Sequence, residues 1–216
     1  ASSPDSTGSV PCSAAPISSS ERSVAASGIG WIYGEDLPDA FPDPLFERTR
    51  IVPVLRADGI PAIDQPKCLT VDEVTSLADD AAVLVVEVND VVRAYPLEIL
   101  TWHELVNDTI GGVPVTVSYC PLCNSAIAYD RRVGDRILDF GTSGALTQSS
   151  MVMYDRQTET IWTHFNGQAI AGELAGAQLD FFSSAVVSWA DYRERFPEGL
   201  VLSRDTGHQR NYGVNP

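Results

Sequence analysis

The sequence predicts a mainly-β (α+β) protein, a single compact domain of short antiparallel strands and hairpins with a few short helices. Three observations carry this reading. Short β-branched runs recur along the chain, turn residues interrupt them about every ten positions, and only three segments read as helices, none of them long.

The elements follow in order. Residues 1–27 are built mostly from Ser, Ala, Pro, Gly and Thr, a composition that buries too little surface to fold alone and reads as a stalk or linker. The single domain is expected over 28–216. Its first part, 28–66, is rich in Pro, Gly and Asp and predicts ordered coil. "TVDE" (70–73) has capping-box spacing, with Thr70 as N-cap and Glu73 reaching back, and predicts a short helix to about Leu77. "AAVLVVEV-ND-VVRAYP" predicts a hairpin turning at Asn89-Asp90. "LEILTWHELV" (97–106) reads as a short helix. The Gly111-Gly112 pair predicts a turn, after which Val113, Val115, Val117 and Tyr119 share one strand face. Two further hairpins are expected, turning at Val133-Gly134-Asp135 and around Gln157-Thr158. A last helix, "SWADYRERF" (188–196), opens on a Ser188-x-x-Asp191 box and stops at Pro197.

Composition narrows the function classes. The formal charge is −15, so nucleic acid is repelled and is not an expected partner. No apolar run approaches the roughly 18–20 residues that a spanning helix needs. Among 14 basic residues only Lys67 is a lysine. That bias suits a hydrated anionic surface in a saline or extracellular setting, and equally a GC-rich genome. Residues 1–27 lack a basic start and apolar core, as expected of an exported chain whose targeting segment has been removed. The expected location is therefore extracytoplasmic, with a membrane tether through the stalk as one arrangement.

The chain has four cysteines. Cys12 and Cys68 have no chemistry nearby and could form a disulfide pinning the stalk to the body, one of three pairings that four cysteines allow. The loaded stretch is "SYCPLCNSAIAYD" (118–130), where Cys120 and Cys123 stand three apart. As a redox pair they have thioredoxin-like spacing, but the following residues alternate like a strand where that fold needs a long helix. As metal ligands they form half of a tetrahedral sulfur site. The nearest partner is His103 in "TWHELVND", and two thiolates with one imidazole give a Cys₂His pattern with an open position, also suited to Cu(I). Met151 and Met153 add soft sulfur, though thioethers on a strand are more often plain core. The deaminase signature is excluded, because Glu104 directly follows His103 and the proline lies between the cysteines. His164 alternates with Trp162 and reads as hydrogen-bonded structure or a fourth ligand. His208 reads as solvated, and Ser143 in "GTSG" as part of a turn.

The ordered series "RAYPLEIL", "WHELVND", "GGVPVTVSYCPLC", "SAIAYDR", "FGTSG" and "MYDRQTETIW" resembles a prokaryotic family, domain of unknown function 3179, over roughly residues 50–216. The resemblance implies an often exported or lipid-anchored protein and carries over His103, Cys120 and Cys123 as the most functional-looking residues. It also implies a glutamine-like residue where His164 stands, and a pattern that continues past "NYGVNP".

The expected function is therefore an extracytoplasmic metal-binding protein using His103, Cys120 and Cys123. Copper is the first choice and zinc the next, as a metalloenzyme or carrier. The alternative is a thiol–disulfide protein with Cys120 attacking and Cys123 resolving. A further alternative is a structural or interaction module with a stapled turn.

Overall fold

The computed structural model describes residues 8–13, 19–21, 28–214 and 216. The mainly-β expectation holds. Strands form three larger sheets and one small hairpin, with three short α-helices among the described residues.

The sheets stack in layers, with a four-stranded sheet in the middle. Its strands run in the order Phe181–Phe182, Ser125–Asp130, Val113–Cys120, Leu105–Ile110, all antiparallel. Side chains alternate along each strand, so the middle sheet buries both faces. One face sends Val106, Ile110, Val115, Val117 and Tyr119 against Leu84, Val86 and Tyr95 of a six-stranded sheet and Leu100 of the helix Leu97–His103. The other sends Leu105, Cys120 and Tyr129 against Met151, Met153 and Trp162 of a five-stranded sheet. Each fully buried side chain of this size contributes about 1.5–3 kcal/mol.

The six-stranded sheet runs Val10–Pro11, Lys67–Thr70, Leu200–Leu202, Val91–Pro96, Ala82–Val88, Ser184–Ser188, with one parallel pair between Leu200–Leu202 and Val91–Pro96. The five-stranded sheet runs Ala169–Ala171, Ile161–Thr163, Ser150–Asp155, Phe140–Thr147, Ile51–Pro53. The stalk expectation for 1–27 falls largely outside the described residues. Within them, Val10–Pro11 pairs with the strand Lys67–Thr70, and Cys12 is disulfide-bonded to Cys68.

Most local expectations appear as read. Asn89 and Asp90 both have positive φ, 51° and 62°, the twist a tight hairpin requires. The helix Trp189–Arg195 is capped by Ser188, whose hydroxyl accepts from the Asp191 amide at 3.1 Å. Three readings need correction. The Thr70–Glu73 box is present but opens only a single 3₁₀ turn, Val71–Glu73, not a helix to Leu77. The helix from Leu97 stops at His103, because Glu104 takes φ 59° and ψ −33° and turns the chain into the strand Leu105–Ile110. Ser143 lies in a strand, not a turn. Its hydroxyl donates to the Val152 carbonyl at 2.5 Å, inside a bulge where the register shifts between Thr142 and Ala145.

The "WHELVND" stretch explains how the layers are tied. Asn107 faces the five-stranded side, donating to the Phe140 carbonyl at 2.8 Å and accepting from its amide at 3.0 Å. Asp108 faces the opposite sheet, where Arg93 (2.6 Å) and Tyr95 (2.6 Å) donate to its carboxylate. These polar groups are buried and paired, so removing one partner of the Arg93–Asp108 pair costs about 3–5 kcal/mol.

Candidate functional site

The cysteine motif is the turn of a hairpin. Val113–Cys120 and Ser125–Asp130 pair in a register that sets Cys120 opposite Ser125, leaving Pro121 to Asn124 to reverse the chain. Asn124 has φ 49°, a conformation asparagine tolerates, and its side-chain oxygen accepts from the Tyr119 hydroxyl at 3.1 Å. Strand alternation then fixes the two thiols differently. Cys120 ends the strand and points with Ser118 into the layer facing the five-stranded sheet, where it is buried. Cys123 sits on the turn and is exposed.

His164 reaches the same place from the other layer. It directly follows the strand Ile161–Thr163, and its backbone is held at both ends. The amide donates to Met151 at 3.2 Å, and the carbonyl accepts from the Tyr129 hydroxyl at 2.8 Å. The fully buried ring bridges two serines, with Nδ1 2.6 Å from Ser118 Oγ and Nε2 2.8 Å from Ser125 Oγ. Ser125 Oγ in turn lies 3.0 Å from Cys123 Sγ, and Ser150 Oγ approaches the same sulfur at 3.7 Å.

Burial lowers the His164 pKa to about 4, with a hydrogen bond to the Ser125 backbone only partly opposing it, so the ring is neutral near pH 7. A neutral imidazole has one donor and one acceptor. In the Nε2–H tautomer the ring donates to Ser125 and leaves the Ser125 proton free for sulfur; in the Nδ1–H tautomer the ring donates to Ser118, Ser125 donates to Nε2, and the Cys123 thiol donates to Ser125. The polar chain Ser118–His164–Ser125–Cys123 therefore links a buried imidazole to the exposed thiol.

The two thiols are pushed apart in acidity. Burial raises Cys120, and its hydrogen bond to Cys123 raises it further. Burial also opposes ionisation of Cys123, but hydrogen bonds from Cys120, Ser125 and Ser150 outweigh it, and this thiol titrates below its ordinary range. Of the two, Cys123 gives up its proton the more readily and Cys120 holds its proton longer.

His103 belongs to a different cluster. Its Nδ1 lies 2.7 Å from the Pro61 carbonyl and its Nε2 2.7 Å from the Tyr212 hydroxyl, which also meets Thr206 at 2.6 Å. The exposed His208 ring is 5.3 Å away. Both nitrogens of His103 are thus engaged with the C-terminal segment and a loop before the sheet. The expected approach of this ring to Cys120 and Cys123 is not the arrangement in the structure. Among the described residues, no group of three or more His, Cys, Asp or Glu side chains stands ready to hold a metal ion. Met151 and Met153 are both buried, packed in the core beside Cys120.

The residues that sequence reading passed over are Ser118, Ser125 and Ser150. Their signal was present for two of them. Ser118 lies two before Cys120 on an alternating strand and must share its face, and Ser125 follows the turn that the cysteines form. Ser150 is brought in only by the packing of the five-stranded sheet.

Residues 57–216 match a family model described as Protein of unknown function (DUF3179). The chain belongs to this family. The matched DUF3179 region contains every residue of the thiol–serine–histidine chain and the His103 cluster, while Cys12 lies before it. No curated protein and no solved structure matches the chain.

Proposed function

We propose that this DUF3179 protein carries out thiol–disulfide exchange, with Cys123 as the attacking thiolate and Cys120 as the resolving thiol. The observation behind this reading is the exposed Cys123 sulfur, with the hydroxyls of Ser125 and Ser150 and the Cys120 thiol around it and a buried histidine behind one of them. The roles are reversed from those assigned to the motif by its order in the chain. The first cysteine closes a buried strand and the second occupies the open turn.

The exchange runs in two displacements. The Cys123 thiolate attacks one sulfur of a substrate disulfide; a new S–S bond forms, the substrate bond breaks, and the departing sulfur leaves with the electron pair. Cys120, on losing its proton to the departing thiolate or to water, then attacks Cys123. The second substrate half leaves as thiol, and Cys120–Cys123 becomes the disulfide. Run backwards, the same steps oxidise a dithiol. The Cys12–Cys68 disulfide supports an oxidising, extracytoplasmic setting for this chemistry.

A second reading is favoured by the closeness of the two thiols, which share a hydrogen bond. Two adjacent soft sulfurs suit one Cu(I) ion better than zinc, which seeks four donors.

Equilibration of the reduced protein with glutathione buffers, followed by mass spectrometry, tests the exchange reading. Loss of two hydrogen atoms at Cys120–Cys123 at a defined potential, the electrons passing to glutathione disulfide, supports it. A pair that stays reduced throughout, with Cys123 alkylated no faster at neutral pH than an ordinary thiol, would sink it. Native mass spectra after addition of Cu(I) decide the second reading. One bound copper, lost in both Cys120→Ser and Cys123→Ser and retained in His103→Ala, is its expected signature.

A further inference from the structure

Beside the thiol turn lies an open groove of about 680 Å³ whose lining includes Ile127, Phe165, Gln178, Asp180 and Phe181. It is continuous with the site at two points. Ile127 is two residues beyond Ser125 on the same strand, and Phe165 directly follows His164, whose ring touches Ser125.

Three observations identify its occupant. First, the apolar groups around it are unusually bare: Phe165 is 69% exposed, Phe181 74%, and Leu122, next to Cys123, 71%. Aromatic side chains this bare, lining one groove, mark an interaction surface. Second, the groove is bounded by an unfinished sheet edge. The strand Phe181–Phe182 pairs with Ser125–Asp130 at Tyr129 and Ala128, and among the described residues no strand is hydrogen-bonded to the outer edge from Ser125 to Ile127. An extended chain can add there by backbone hydrogen bonding. Third, Asp180 is the one charged residue lining the groove, which suits an uncharged or mildly basic partner to a chain of net charge −15. A small disulfide needs a site that encloses most of its surface, and walls formed by such exposed rings do not enclose one.

We propose that this groove binds an extended, apolar-flanked polypeptide segment and presents its disulfide to Cys123, making polypeptide disulfides the substrate class. This rests on the thiol–disulfide reading above. The segment lies along the free edge of Ser125–Ile127, places an apolar side chain between Phe165 and Phe181, and brings its cysteine over the turn beside Leu122. Cys123 sulfur bonds to the polypeptide sulfur nearest the turn, and the other half of that disulfide departs with the electron pair.

The test is the rate of one attack, read independently of redox potential. Cys120→Ser protein is mixed with a short Val-rich peptide whose cysteine is disulfide-linked to thionitrobenzoate, and separately with cysteamine carrying the same group. Release of the coloured thiol reports attack by Cys123. The double variant Phe165→Ser, Phe181→Ser removes two exposed side chains and leaves the core intact. The expected result is attack on the peptide slowed about tenfold or more, with the cysteamine rate unchanged. Equal rates on the peptide with and without the two rings, or an equal loss with both reagents, overturns the groove and leaves the exchange reading standing. A protein inert to both reagents before the rings are removed overturns the exchange reading itself, and the proposal with it.

Discussion

Ser125 Oγ stands 2.8 Å from His164 Nε2, and through this one contact a buried histidine acts on an exposed sulfur that it does not touch. The serine bridges the two, its oxygen 3.0 Å from Cys123 Sγ, and in the Nε2–H tautomer of the ring its proton is free to point at sulfur.

Removing the serine hydroxyl raises the pKa of the thiol toward its ordinary range. Ser125→Ala is expected to slow alkylation of Cys123 by iodoacetamide at pH 7 by about threefold to tenfold, with a parallel shift in the pH profile. The rate at high pH, where any thiol is ionised, stays unchanged. Ser125→Thr keeps the hydroxyl and restores the profile. A uniform loss at every pH would mean the serine matters for folding alone.

Acid sensitivity follows from the two buried histidines. His164 is lowered to about 4 by burial; His103 reaches about 4 as well, by burial first and then by the nearby charges of His208 and Arg210. In the unfolded chain both take up protons near 6.5. Their folded pKa values are depressed, so the neutral rings destabilise nothing above pH 6.5. Below it the unfolded state binds protons that the fold refuses, and stability falls until pH 4. Each ring accounts for at most about 3 kcal/mol of that fall. Urea midpoints measured from pH 8 to pH 4 are expected to drop steeply below 6.5, with a shallower drop in His164→Gln.

Glu104 acts in the opposite direction. Burial lifts its carboxyl to about 7, above the 4.5 of a free side chain. The fold therefore holds that proton more tightly than the unfolded chain, and stability is lost as pH rises from about 4.5 to 7. Glu104→Gln removes this slope. Glu104→Gly removes the slope too and also relieves the positive φ of 59°, so it is expected to add roughly 1 kcal/mol below pH 4.5 and more than that above pH 7. A glycine variant less stable than the parent at pH 8 would show that the carboxylate side chain holds the turn.

The Cys12–Cys68 bond closes a loop with a sequence separation of 56 residues. Cys12→Ser is expected to cost about 4 kcal/mol in urea unfolding by loop entropy alone. The effect should vanish when the parent is measured under reducing conditions.

The strands were readable because one face of each had to be apolar, as in Val113, Val115, Val117 and Tyr119. The hairpins were readable because Asn89-Asp90 and Gly111-Gly112 supply positive φ. The end of the helix at His103 was not, since periodicity continues through Val106 and only the strained backbone of Glu104 breaks it. The site divided in the same way. Cys120 and Cys123 stood out by spacing, but distance along the chain favoured His103 over His164. His164 lies 41 positions beyond Cys123 and meets its turn only because the five-stranded sheet packs on the middle one. The specificity of "WHELVND" pointed to chemistry, whereas Asn107 and Asp108 satisfy buried polar groups between layers.

The disulfide from Cys12 to Cys68 also decides how the protein bears load. A pull on the chain upstream of Cys12 passes through sulfur directly into the Lys67–Thr70 strand, which is hydrogen-bonded on both sides within the six-stranded sheet. The interval between the two cysteines, including the short helix Gly28–Ile32 and the edge strand Ile51–Pro53, is bypassed by the tension. Those segments, though their Trp31, Ile32 and Ile51 are buried in the core, stay slack while the sheet takes the force.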